Sequence, residues 1–163
     1  MEIRRAQPAE AASLSKIAWA AKASWGYPEP WLQQWREQLT ITPEFISANE
    51  TFIALIDNRP VAFYALLQTP AALRLEHLWV RPEEMRRGIG KKLFAHACER
   101  ALALRARSLT IEADPNAEDF YRRMGAIKFD EVETFVAGRR RVLPLLSYKL
   151  RNPDKAELES APD

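Results

Sequence analysis

The sequence predicts an α/β (α+β-like) architecture, a mixed, mostly antiparallel sheet of six to seven strands flanked by helices. Three observations predict it. The chain has 163 residues, 47% hydrophobic and 28% charged, enough for one sizeable core and too apolar for disorder. Short apolar, β-branched and aromatic runs bounded by turn residues recur along it, the pattern of strands and hairpins. Between two such runs Ile89, Leu93, Ala97, Ala101 and Leu104 recur every three to four residues, which is the period of a helix with one buried face.

Each element follows in order. Ile3 opens a strand that stops at Pro8, and Pro8-Ala9-Glu10 starts a helix whose apolar face carries Leu14, Ile17, Trp19 and Ala21 and which fades near Trp25-Gly26. Pro28 and Pro30 make a turn before a second helix through Trp31-Leu32-Gln33-Gln34-Trp35. Thr51 to Ile56 and Val61 to Leu67 form a hairpin about Asp57-Asn58-Arg59-Pro60, and Leu73 to Val80 is the next strand. After the long helix, Ser108 to Ala113 is a strand, and Pro115 to Met124 is a helix closed by Gly125. Phe129 to Val136 and Arg141 to Leu150 are two final strands around Gly138, and residues 151–163 turn polar as a tail after a domain of residues 1–150.

Composition excludes several functions. Cys98 is the single cysteine, so there is no internal disulfide and no zinc site built on two or more cysteines, and a reducing cytoplasm is the expected compartment. The first residues lack an apolar signal core and no run approaches the ~20 apolar residues of a membrane span, so no membrane partner is expected. The formal charge of +2, from 24 basic and 22 acidic side chains, gives no argument for a nucleic-acid partner.

The chain has five glycines, and two of them, Gly88 and Gly90, stand together after a strand and at the start of the long helix. Glycines there let backbone approach a ligand closely, while free N–H groups and the positive helix end suit phosphate. Arg86, Arg87, Lys91 and Lys92 add positive charge. Neither the P-loop nor the three-glycine dinucleotide spacing fits. What the chain offers instead is a strand, Met85-Arg86-Arg87-Gly88-Ile89-Gly90, a helix, a strand, and then Asn116 with Phe120-Tyr121-Arg122-Arg123-Met124-Gly125. That string resembles the GNAT superfamily of acyl-CoA-dependent N-acyltransferases over about residues 1–150. Its phosphate motif is Arg/Gln-x-x-Gly-x-Gly/Ala, and its second motif is Asn followed by Phe-Tyr-x-x-x-Gly. Met85 departs from the usual Arg or Gln, and altered affinity without loss of binding is expected because the cradle is mainly backbone.

The resemblance implies the GNAT fold and acetyl-CoA as co-substrate, with no metal. It implies cofactor binding by Leu78, Trp79 and Val80 on the strand, by Arg86, Arg87, Gly88, Ile89, Gly90 and Lys91 in the cradle, and by Asn116, Phe120 and Tyr121. An amine with pKa near 10.4 is only about 0.04% free base at pH 7, equivalent to roughly 4.6 kcal/mol, so a general base is useful. Glu76 is the candidate, because the resemblance places a base on its strand. By strict alternation Glu76 shares a face with Arg74 and Leu78, while His77, the other candidate, shares one with Leu75 and Trp79, so only one of the two lines the cleft. Tyr121 is the candidate acid for the departing thiolate. Asn116 contacts the pantetheine arm by the resemblance and also reads as a cap at its helix start, two roles that can coexist. Arg122 and Arg123 are either solvated or near a coenzyme phosphate. Cys98 reads as a core thiol, His96 as solvent-facing, and Arg139-Arg140-Arg141 as a solvated hairpin tip. Trp25, Tyr27, Trp31 and Trp35 either pack the core or wall an acceptor pocket by cation–π contact.

The expected activity is acetyl transfer from acetyl-CoA to the primary amine of a small molecule or peptide by direct attack. The competing class is a non-catalytic acyl-CoA-binding sensor, and an arginine-built RNA surface is the weakest alternative. Monomer and homodimer both remain open.

Overall fold

The structure is a computed structural model that describes residues 1–151; the polar tail expected beyond them falls outside the described residues. Seven strands, β1 (Glu2–Arg5), β2 (Glu50–Ile56), β3 (Arg59–Gln68), β4 (Leu73–Val80), β5 (Ser108–Glu112), β6 (Ile127–Val136) and β7 (Arg139–Lys149), form one sheet in the order β1-β2-β3-β4-β5-β7-β6. Every neighbouring pair is antiparallel except β4 and β5. The mixed, mostly antiparallel sheet is thus as expected.

Helices cover both faces. On one face lie α1 (Ala11–Ala23), α2 (Glu29–Gln34), α3 (Arg36–Leu39) and α4 (Pro43–Ala48), whose Leu14, Ile17, Leu32, Leu39 and Ile46 pack on Ile53 and Phe63. On the other lie α5 (Ile89–Ala103) and α6 (Glu118–Met124), with Leu93, Phe94, Ala97 and Tyr121 against Tyr64, Leu66, Leu75 and Leu109. Strands β2 and β3 are buried on both faces, which is why they read as continuous apolar runs and not as alternation. The N-terminal region holds four helices where two were expected. Pro28, Pro30 and Pro43 divide it, and Thr42 starts α4 by accepting the Phe45 N–H at 3.0 Å, with Pro43 at the first position where no N–H is needed. His96 is not simply solvent-facing: its Nδ1 lies 2.7 Å from the Tyr64 hydroxyl, and its ring meets Phe52. No helix among the described residues is long and apolar enough to cross a membrane.

Two irregularities position the site. The β3–β4 register passes from Ala65 opposite His77 to Leu66 opposite Leu75, leaving Glu76 as the extra residue of a bulge. Strands β4 and β5 pair only at Leu73 with Leu109 and Arg74 with Thr110, then part. Beyond that point β5 follows β7, with Ala113 donating to the Pro144 carbonyl at 3.0 Å. A wedge opens along one side of β4 from Leu75 to Val80, into which point backbone groups left unpaired by any strand among the described residues.

Candidate active site

The turn from β4 into α5 is held from below by Glu84, a buried carboxylate that pairs with both Arg59 and Arg87. Above it Arg86 and Gly88 take left-handed backbone angles, φ +60° and +77°. Among the described residues the N–H groups from Arg86 to Lys91 make no hydrogen bond, and the first α5 bond is Lys92 N–H to the Gly88 carbonyl at 3.1 Å. A row of free donors therefore stands at the positive end of a 15-residue helix, an arrangement suited to phosphate oxygens. A Cβ on Gly90 would lie 3.4 Å from the Phe120 ring, so this glycine also keeps α5 close to α6.

Next to the cradle is a cleft of about 380 Å³, walled by β4 and α6 across the wedge. Every residue expected to hold the cofactor lines it except Arg87 and Ile89. Arg87 is tied to Glu84, and the Ile89 side chain is buried in the core, leaving only its N–H for a ligand. Arg122 pairs with Glu118 at 2.7 Å, whereas Arg123 lines the cleft. Tyr121 packs between Phe94 and Phe120, its hydroxyl makes no hydrogen bond among the described residues, and burial pushes its phenol well above the ordinary range. It therefore stays protonated as a donor.

Trp79 separates this cleft from a second one of about 390 Å³ and lines both. Glu76 and His77 both line the second cleft, which corrects the expectation that only one of them does. The bulge is the reason: Leu75 lies in the α5-side core, while His77 meets Phe45 and Phe63 and Trp79 packs on the α1 side, so strict alternation fails at Glu76. Glu76 Oε2 is 2.5 Å from Arg74 Nε, an ion contact without hydrogen-bond alignment. His77 Nδ1 accepts the Trp79 indole N–H at 3.0 Å, which places the imidazole proton on Nε2. Burial and the Arg74 charge lower His77 to about 4, so it is neutral at neutral pH with its one lone pair engaged.

A buried ion cluster that sequence reasoning missed closes the far end. Asp114 Oδ2 accepts from Lys22 Nζ and from Arg141 Nη2, each at 2.6 Å. The Tyr27 hydroxyl reaches the same carboxylate at 2.9 Å, and Arg141 donates to that hydroxyl at 2.7 Å. Arg141 therefore departs from the solvated hairpin tip expected of it, while Arg139 and Arg140 are exposed. Asn116 donates to Tyr27 and Asp114; Asp114, and not Asn116, is the capping residue, accepting the Asn116 backbone N–H at 2.8 Å. Trp35 covers both cations, 4.0 Å from Lys22 Nζ and 4.7 Å from the Arg141 guanidinium carbon. Burial lowers the Lys22 pKa, and Arg141 lowers it further against the pull of Asp114. Burial would raise Asp114, but Lys22, the Asn116 N–H and Arg141 outweigh it and hold the carboxyl below its usual range. The Lys22 shift is downward chiefly through burial, and the Asp114 shift is downward because two cations share that carboxylate. A signal existed in the tryptophans Trp25, Trp31 and Trp35, but not in Lys22 or Asp114 themselves.

Cys98 packs against the α5-side core, and burial with Glu99 pushes its thiol up to about 11. Among the described residues no group of three or more His, Cys, Asp or Glu is arranged to hold a metal.

The acetyltransferase (GNAT) family model matches residues 12–126. No curated protein sequence shows significant similarity to the chain. Among solved structures, a GCN5-related N-acetyltransferase from Rhodopseudomonas palustris is similar with TM-score 0.78 and 23% identity, over 91% of this chain and 95% of that one. The PaiA N-acetyltransferase from Thermoplasma acidophilum, solved with coenzyme A, is similar with TM-score 0.74 and 18% identity, over 91% and 98%. A ribosomal-protein-alanine N-acetyltransferase from Brucella melitensis gives TM-score 0.68 and 18% identity, over 92% and 100%. With a free-donor cradle after a splayed β4, an aromatic cleft beside it and a family match over most of its length, this chain belongs to the GNAT acetyltransferase family.

Proposed function

We propose that the protein, as one catalytic unit over residues 1–150, transfers the acetyl group of acetyl-CoA to a primary amine by direct attack in a ternary complex. The observation that carries this reading is the pair of clefts meeting at Trp79, one with a phosphate cradle and a phenol, the other with a carboxylate. The cradle N–H groups and the exposed Arg86 and Lys91 bind the pyrophosphate, and the apolar walls Leu78, Val80 and Phe120 receive the pantetheine arm. Glu76 takes a proton from the acceptor ammonium, directly or through water. The amine nitrogen then bonds to the thioester carbonyl carbon, the C–S bond breaks as Tyr121 protonates the thiolate, and the second proton lost by the nitrogen restores the Tyr121 phenol. The products are an amide and free CoA, with one proton released to solvent. Unpaired β4 backbone groups in the wedge face the developing oxyanion. Glu76 is preferred to His77 because the only unprotonated His77 nitrogen is engaged by Trp79. Direct attack is preferred because the one thiol is raised by burial and packed into the core. The single cysteine suits a reducing cytoplasm.

Release of free thiol from acetyl-CoA across an amine panel tests the activity; CoA binding with no turnover on any amine would instead favour the sensor reading. The cradle is tested by Gly88→Val. A side chain there meets nothing within 4 Å but is strained at φ +77°, by roughly 1–2 kcal/mol, and blocks close approach of the pyrophosphate. The variant is expected to fold and to lose thermal stabilisation by CoA; stabilisation equal to wild type in a folded variant rejects the cradle. Tyr121→Phe keeps the packing with Phe94 and Phe120 and removes only the donor. It is expected to lower kcat by roughly 10- to 1000-fold with little change in CoA affinity. Near-wild-type turnover would leave Tyr121 a core residue.

A further inference from the structure

The ion cluster beside the Glu76 cleft does not balance. Lys22 and Arg141, with side chains 9% and 10% exposed, both bond the same oxygen of Asp114, and neither has a second carboxylate within 4 Å among the described residues. Two buried cations on one carboxylate leave an uncompensated positive charge where desolvation is costly. The rings of Trp35 and Tyr27 soften that cost without neutralising it. The excess charge opens onto a pocket of about 270 Å³ that has Lys22, Trp35, Gln38, Trp79 and Glu112 in common with the Glu76 cleft. Glu112 stands at the junction of the two and pairs with neither cation. The two adjoining pockets therefore have carboxylates at Glu76 and Glu112 and a surplus cation at Arg141, with Lys22 lining both. Their ionised lining, Lys22, Arg74 and Arg141 against Glu76, Glu112 and Asp114, sums to zero. A ligand with separated charges and no net charge leaves that balance intact.

We propose that the acceptor is an amino carboxylate, a free amino acid or a similar zwitterionic amine, whose carboxylate binds Lys22 and Arg141 while its amine faces Glu76. This rests on the acetyltransferase reading above and deepens it. A plain alkylamine leaves the buried charge uncompensated, and a peptide N-terminus presents an amide carbonyl where the carboxylate belongs.

The experiment measures thiol release from acetyl-CoA with a panel of α- and ω-amino acids, each beside its carboxamide and its decarboxylated amine. For the best substrate, kcat/KM is expected to exceed that of both neutral-end analogues by about 10- to 100-fold, the range of a charge-assisted hydrogen-bonded contact. In Lys22→Met and Arg141→Met, each of which leaves one cation on Asp114 and so a balanced pair, the ratio falls toward one. Equal rates for acids and carboxamides in the wild type, or an unchanged ratio in both variants, overturn the proposal while leaving the acetyltransferase reading in place. A second arm needs no turnover. Calorimetry with N-acetyl amino acids against their N-acetyl carboxamides is expected to show tighter binding of the acids by a similar factor, abolished in both variants. If no amine releases thiol, the acetyltransferase reading fails, and this arm still decides: equal affinity of acids and carboxamides rejects the anion site.

Discussion

Glu76→Gln lowers kcat/KM at neutral pH by about 100- to 10,000-fold while CoA binding is retained, because the amide keeps the size and place of the carboxylate but accepts no proton. The acidic limb of the pH–rate profile disappears with it. At higher pH the deprotonated fraction of the amine rises tenfold per unit and the base becomes less necessary, so the deficit narrows above about pH 9. His77→Gln is the paired comparison. The His77 ring is wedged between Phe45 and Phe63 with its acceptor nitrogen on Trp79, so this variant is expected to retain the acidic limb even where packing losses reduce the rate. A Glu76→Gln enzyme with the wild-type profile, alongside a His77→Gln enzyme without its acidic limb, would move the base to His77. Arg74 Nε lies 2.5 Å from Glu76 Oε2 and is in charge contact with the carboxylate.

Asp114→Ala produces the largest loss of stability, about 3–5 kcal/mol, since it leaves Lys22 and Arg141 facing each other in a buried site with no carboxylate between them. The pH dependence follows from the directions of the two shifts. The folded-state pKa of Asp114 is depressed, so its contribution is fully present above the unfolded value near 3.9 and is lost as pH falls through the lower folded value. The folded-state pKa of Lys22 is also depressed, so folding opposes its charge, and stability rises as pH climbs through that folded value toward the unfolded one near 10.4. Wild type and variant are therefore expected to differ most near neutrality, with a gap that narrows toward both ends but does not close in base, where Arg141 of the variant still lacks its carboxylate. In acid the wild type loses its carboxylate, and in base the variant loses the repulsion between Lys22 and Arg141. Urea melts of both proteins from pH 3 to pH 10 measure the gap; a gap constant across that range rejects the account. Asp114→Asn keeps the acceptor for the Asn116 cap and is expected to show the same pattern at smaller amplitude.

What the sequence by itself determined is the part of the site built from neighbours along the chain. A strand, two glycines and an amphipathic helix specify the cradle, because free N–H groups at a helix start are a local property of backbone. The same holds for Phe120 and Tyr121, one turn of helix beyond Asn116 and closed by Gly125. Two features were decided only by the tertiary structure. Whether Glu76 and His77 share a cleft depends on one extra residue in the pairing of β4 with β3, and a bulge is a relation between strands that alternation within one strand does not register. The Lys22–Asp114–Arg141 cluster joins residues 92 and 27 positions apart, each an unremarkable surface charge in its own segment. They become a buried, unbalanced group only where α1, the β7 hairpin and the end of β5 meet, since burial and charge balance are properties of the space between elements and not of any element alone.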